Sequence, residues 1–406
     1  MKIDSDERTA EGDNDASAKH PRTSAAARIA LWTLAGLLVI GAIGLFVAWR
    51  SLTAIERVPF DQSEARTRLE AVPDDRVEEF QAQVEAAEAA AVASEQEDDS
   101  SPVDEEDLLE GARDALGNRE VSSNFEVPFA SSPPVDDSVY DSYLLIGSDL
   151  SGALADVIIY VLNPTQPDGS PIMVSLPRDL YLPNPCTRSN TRLNAALNGC
   201  GEYANGPELL GLMVEDFTGV PVDHFATVDF EGFTAVVDAF GGYEICVDHP
   251  VRDAKAFLEL GAGCTEADGE TVLAWVRSRQ TQELVEGGWR RMEGVSDFSR
   301  QARQQEVLLG IASKLRSFGS VTAFSQVVAR LQESVTFDAG LDFAALIDTA
   351  WDNRDVDLAT IERVDVPFED YTVDLGELKA YVLVPGASFE QTLANTTIAL
   401  DEAGGT

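Results

Sequence analysis

Positive charge is what this chain has least of. Its 29 lysines and arginines stand against 71 aspartates and glutamates, a formal net charge of -42. A nucleic-acid backbone is gripped by a basic footprint that releases counterions, and none exists on the scale of this chain, which argues against nucleic acid as a partner and against transcriptional control. Histidine is scarce too, at three residues. His224 and His249 lie beside strand-like segments without metal-ligand spacing and read as structural. There is no G-x-S-x-G elbow, no H-E-x-x-H helix and no Walker A loop, so the common hydrolase and nucleotide signals are missing. Cysteine is confined to Cys186, Cys200, Cys246 and Cys264, with no C-x-x-C spacing to suggest zinc. Sequential pairing would close two short loops, each contributing roughly 3 kcal/mol in the chain-entropy model, and would need an oxidising compartment. Three connectivities are open, and four buried thiols are the alternative.

Charge of either sign is absent from Ile29 to Trp49, which Arg28 and Arg50 bracket. That is about 20 residues, the length of a bilayer-spanning helix and too long for a typical signal-peptide core. Basic residues flank both ends, so the positive-inside rule leaves the orientation open. The cysteines favour a cytoplasmic N-terminus with the C-terminal domain outside. The expected organisation is a disordered cytoplasmic tail over 1–27, a transmembrane signal-anchor helix over 28–50 and an acidic, partly helical stalk over 51–138. An extracytoplasmic domain follows over 139–390, with a C-terminal tail over 391–406. Asp74 to Glu110 holds fifteen acidic residues and one basic, Arg76, a solvated stalk or, alternatively, an acidic interaction arm.

Within the domain the apolar runs Tyr143–Gly147, Val157–Leu162 and Ile172–Leu176 read as strands. Val222–Val228 and Tyr243–Val247 are strands as well, and Phe230–Phe240 between them has helical spacing stopped by Gly241 and Gly242. Thr360–Val366 and Lys379–Val384 are further strand candidates. This succession predicts an α/β sheet with helices on its faces.

Four places in this frame carry charge suited to chemistry. Asp149 and Asp156 end the loop between the first two strands, and a hairpin would bring both carboxylates to one mouth. Such a pair can hold a hard divalent cation or leave one carboxylate as a base; ordinary turn chemistry is the alternative. Arg178 follows the third strand and Pro177, at the rim of the sheet. Arg277 and Arg279, if extended, point to one side and repel unless an anion lies between them. After Ser296 the stripe Val307, Leu308, Ile311, Leu315 continues back onto Gln304, Arg303 and Arg300. Cations at a helix start oppose its dipole, which an anion would relieve; a salt-bridged first turn, with acidic partners such as Glu306 nearby, is the alternative. Together these guanidinium groups suit a phosphorylated or pyrophosphorylated substrate.

In order along the chain, Leu144 to Asp149, Ala155-Asp156, Ser175 to Asp179 and Arg192 to Ala196 resemble the motifs of the LytR-CpsA-Psr family. So do Val228 to Phe233, Val237 to Gly242, Val276 to Arg279 and Asp297 to Gln305. The resemblance implies a three-layer α/β/α sandwich with a central mixed β-sheet, behind a transmembrane helix and stalk. It implies transfer of a glycopolymer with its linking phosphate from a polyprenyl-pyrophosphate carrier to peptidoglycan, with Mg2+ or Mn2+, at the cell membrane. Asp149 and Asp156 would hold the metal or activate the acceptor, with Arg178 as a third catalytic residue. Arg178, Arg277, Arg279, Arg300, Arg303 and Gln304 would bind the pyrophosphate. The loop from Leu150 to Ala155 lacks the arginine the family often has there. Hydrolysis of the same carrier, or a non-catalytic wall-binding or regulatory role, are the competing readings.

Overall fold

The structure, a computed structural model, describes residues 57–98, 120–122, 125–136, 138–149, 152–165, 170–292, 297–314, 318–330, 335–341, 351, 358–374 and 379–394. The segment expected to span a bilayer, the tail before it and the residues after 394 lie outside these. Among the described residues no helix is long and apolar enough to cross a membrane.

A seven-stranded mixed sheet forms the centre. Its strands in chain order are β1 (Arg57–Val58), β2 (Tyr140–Ser148), β3 (Ala155–Pro164), β4 (Ile172–Ser175), β5 (His224–Val228), β6 (Val335–Asp338) and β7 (Glu362–Val364). Across the sheet the order is β1-β6-β5-β2-β3-β4-β7. The expected hairpin is β2 against β3, antiparallel, while β5 lies parallel to β2 and β7 parallel to β4. The helices are α1 (Gln62–Glu70), α2 (Asp74–Asp98), α3 (Gly206–Thr218), α4 (Phe230–Ala239), α5 (Gly269–Arg277), α6 (Asp297–Ser313) and α7 (Val321–Arg330).

The central strands are continuously apolar because both faces are covered. Leu144, Ile146, Ile158 and Tyr160 pack with Leu209, Leu210 and Met213 of α3. The alternate residues Leu145, Val157, Ile159 and Val161 pack with Leu308 and Leu309 of α6. Helix α3 starts sharply because Asn205 and Glu208 exchange hydrogen bonds in a capping box, and it ends at Gly219, whose φ of 76° suits glycine.

Residues 57–98 correct the expectation of a solvated stalk. β1 joins the sheet edge beside β6, and Arg68 Nη2 donates to both carboxylate oxygens of the buried Glu208 at 3.1 Å. In α2 the buried residues Val77, Phe80, Val84, Glu88 and Val92 recur every three or four positions. One narrow stripe, masked by the acidic composition around it, docks the helix. The cysteines pair sequentially, Cys186 with Cys200 and Cys246 with Cys264. The first bridge ties the hairpin Tyr181–Asn184/Ser189–Arg192 to the turn after it; the second staples Tyr243–Val247 to Gly263–Ala267.

Candidate active site

A cavity of about 780 Å³ lies between the α6 face of the sheet and helices α4, α5 and α6. That is within the range of small-ligand sites. Two register rows of strand residues line it. One is Phe337, Ala226, Leu145 and Ile159; the next is Val335, Val228, Gly147 and Val157. Residues two apart on a strand share a face, which is why both rows look into the same space. Phe233, Leu273, Leu308 and Ile311 add an apolar lining from the helices.

Beyond the second row the register slips between Gly147 and Ser148, so that Asp156 is the extra residue of a β-bulge. In a regular strand Asp156 and Val157 would face opposite sides. The bulge lets both line the cavity. Glycine at 147 keeps this pairing close, since a Cβ there would meet the Val157 Cβ at 3.0 Å and Val157 would have to give way.

The two aspartates part company in the structure. Asp156 lines the cavity and accepts a 2.8 Å hydrogen bond from Arg178 Nη1. Asp149 is not among the lining residues. Its Oδ1 accepts the N–H groups of Ala153 and Leu154 at 3.1 and 3.2 Å, the ordinary turn chemistry of an aspartate.

Arg178, Arg277, Arg279, Arg300 and Gln304 all line the cavity, with Lys255 beside them. Arg178 is placed by its backbone, whose carbonyl accepts from Asn194 N–H at 2.9 Å. Arg277 and Arg279 converge by a route other than the extended one expected. Arg277 is the last residue of α5, stacked 4.3 Å over the Phe230 ring, and Ser278 turns the chain so that Arg279 follows in a loop. Arg300 stands in the first turn of α6 and is buried.

Arg303 corrects the expected set, because it does not line the cavity. Its Nη1 donates to the Trp275 carbonyl at 2.9 Å, its Nη2 to the Ser278 carbonyl, and it lies over the Trp275 ring at 4.8 Å. One turn of helix separates it from Arg300, enough to aim it at the end of α5 instead. Burial pulls its pKa below the ordinary value. Leu315 falls outside the described residues.

Two contributors escaped the sequence reading. Asp253, buried at the cavity edge, accepts from Ser278 Oγ and Gln280 N–H on one oxygen and from the Lys255 and Ala256 N–H groups on the other. Burial works to raise its carboxyl, but these donors hold it below the usual range. It thereby fixes the loops that present Arg279 and Lys255. Gln305 donates to Ser175 Oγ at 2.8 Å, tying α6 to the strand that leads to Arg178. Neither has a local signal, since the bonds from Asp253 to Ser278 and Gln280 and from Gln305 to Ser175 each cross more than twenty residues of sequence. His224 meets the structural expectation: it pairs with Asp338 at 3.0 Å and stacks on Tyr143.

The LytR_cpsA_psr family model matches residues 118–396, and the chain belongs to that family. A curated relative, the probable cell wall biosynthesis protein LcpB of Corynebacterium glutamicum, is 34% identical over 175 residues. That alignment takes in 43% of this chain but only 37% of LcpB. The polyisoprenyl-teichoic acid–peptidoglycan teichoic acid transferase TagU of Bacillus cereus is 29% identical over 280 residues, 68% of this chain and 81% of that protein. Among solved structures, protein gbs0355 of Streptococcus agalactiae superposes with a TM-score of 0.51 at 21% identity, covering 64% of this chain and 86% of that one. That likeness concerns the fold.

Proposed function

We propose that the chain transfers a glycopolymer with its linking phosphate from a polyprenyl-pyrophosphate carrier to a peptidoglycan hydroxyl, forming a phosphodiester. The observation that carries this reading is a single cavity with an apolar floor two residue rows deep and a rim of arginines. An isoprenoid tail suits the floor, and bidentate guanidinium forks suit pyrophosphate oxygens. The names of the relatives point the same way.

In this reading the acceptor oxygen attacks the phosphorus bearing the glycopolymer, and the bridging P–O bond breaks. Polyprenyl phosphate leaves, and the hydroxyl proton passes to Asp156. Arg178, Arg277, Arg279 and Arg300 stabilise the charge that gathers on the leaving phosphate. Mg2+ or Mn2+ takes one or two carboxylates plus substrate phosphates, a donor set that Asp156 fits, with Asp149 as the second candidate carboxylate. When bound, such an ion would neutralise phosphate charge. The chain would sit on a three-layer α/β/α frame, anchored by residues 28–50 with its catalytic domain outside the cell membrane.

Arg178→Ala and Arg277→Ala should each weaken binding of farnesyl pyrophosphate by about tenfold or more, judged from the usual worth of a charge-assisted hydrogen bond. Unchanged affinity in both, measured by calorimetry, would sink the reading. Release of phosphate with no glycan product would move it to hydrolysis.

A further inference from the structure

We infer that Glu88, on helix α2, is a positioning residue for the donor site, acting on Arg178 through Arg192 and Asp179. The inference rests on the function proposed above.

Five side chains of alternating sign form a continuous file from α2 to the cavity. Glu88 Oε1 accepts the Arg192 N–H at 3.0 Å and lies 3.7 Å from Arg192 Nε. Arg192 Nη1 donates to Asp179 Oδ1 at 3.1 Å, and Asp179 Oδ2 is 3.4 Å from Arg178 Nε. Arg178 Nη1 then donates to Asp156 in the cavity. Glu88, Arg192 and Asp179 are 5%, 2% and 8% exposed, so water and salt screen their interactions little.

Glu88 is an odd choice on packing grounds. It occupies a position in the buried stripe of α2 where an apolar side chain would dock the helix as well, and a buried ion pair is weak evidence for stability. Burial, only partly offset by Arg192, pushes its carboxyl above the ordinary range. A charge kept at that cost acts on its neighbours. Glu88 shares Arg192 with Asp179; without it, Arg192 draws Asp179 to itself and away from Arg178. Arg178 then loses the carboxylate on one side and leans on Asp156, the group the site uses. Helix α2, docked on the domain, thus reaches the reaction centre through charge.

The test uses the full chain and farnesyl pyrophosphate as probe. Glu88→Gln keeps an acceptor for the Arg192 N–H and removes the charge. Affinity should fall about fivefold, within the usual coupling of side chains in one network, while the thermal midpoint does not fall. In an Arg178→Ala background the same substitution should change nothing further, because its effect passes through Arg178. Equal loss in both backgrounds, or no loss in either, overturns the role of Glu88. Asp179→Asn, one link nearer the site, carries the same comparison if Glu88→Gln does not fold. A wild-type chain that fails to bind the probe overturns the donor-site reading, and the Glu88 role with it. A wild-type chain that binds while Glu88→Gln is unaffected overturns the Glu88 role alone.

Discussion

Arg303 and Arg300 lie one turn apart on α6, and replacing each by glutamine should produce opposite defects. Arg303 spends its guanidinium on the carbonyls of Trp275 and Ser278 at the end of α5, where the chain turns toward Arg279. Hydrogen bonds from a charged donor contribute about 1.5–3 kcal/mol each, but burial of this guanidinium takes back part of the sum. A net loss of about 2 kcal/mol is the working figure for Arg303→Gln. Arg300 lines the cavity, so Arg300→Gln should cost donor binding in greater proportion than stability. Urea unfolding followed by tryptophan fluorescence reads the first quantity, and calorimetry with farnesyl pyrophosphate on the folded protein reads the second. If Arg303→Gln left the urea midpoint untouched and abolished binding, Arg303 would belong to the pyrophosphate set after all, and the cavity geometry would be wrong at its rim.

Two further outcomes follow from other parts of the fold. The paired substitution Cys186→Ala, Cys200→Ala opens a loop with a sequence separation of 14 and should cost about 3 kcal/mol, read as a lower urea midpoint in oxidising buffer. The hydrogen bond to Asp338 raises the pKa of His224 above 6.5. The stabilisation from that pair is fully present below about pH 6.5 and is lost as pH rises through the raised value. Asp338→Asn should therefore lower stability more at pH 6 than at pH 8, by no more than about 1 kcal/mol for a half-buried pair. An equal effect at both pH values would refute the linkage.

Much of the frame was legible along the chain. The strands around Leu145, Ile159 and Val174, the helix closed by Gly241 and Gly242, and the hairpin between the two aspartates announce themselves by local periodicity. An apolar run of strand length or helical spacing has few ways to be buried. The family motifs are likewise local, short strings at strand ends and helix starts. The first part of the acidic run, Asp74–Asp98, misled because composition outweighed a stripe only one residue wide.

Sequence alone thus determined the kinds of element, their order, and a surplus of guanidinium in an acidic chain. Tertiary structure decided which of those groups meet. The bulge at Asp156 puts a carboxylate where alternation forbids one, and the turn after Arg277 brings two arginines together that an extended segment would have aligned by other means. Helix phase sends Arg303 to hold α5 while Arg300 faces the cavity, and the docking of α2 lines up Glu88, Arg192 and Asp179 behind Arg178. Each of these depends on where distant elements stop and cross. Contacts between residues tens of positions apart are set by packing the whole sheet, a quantity no local window contains.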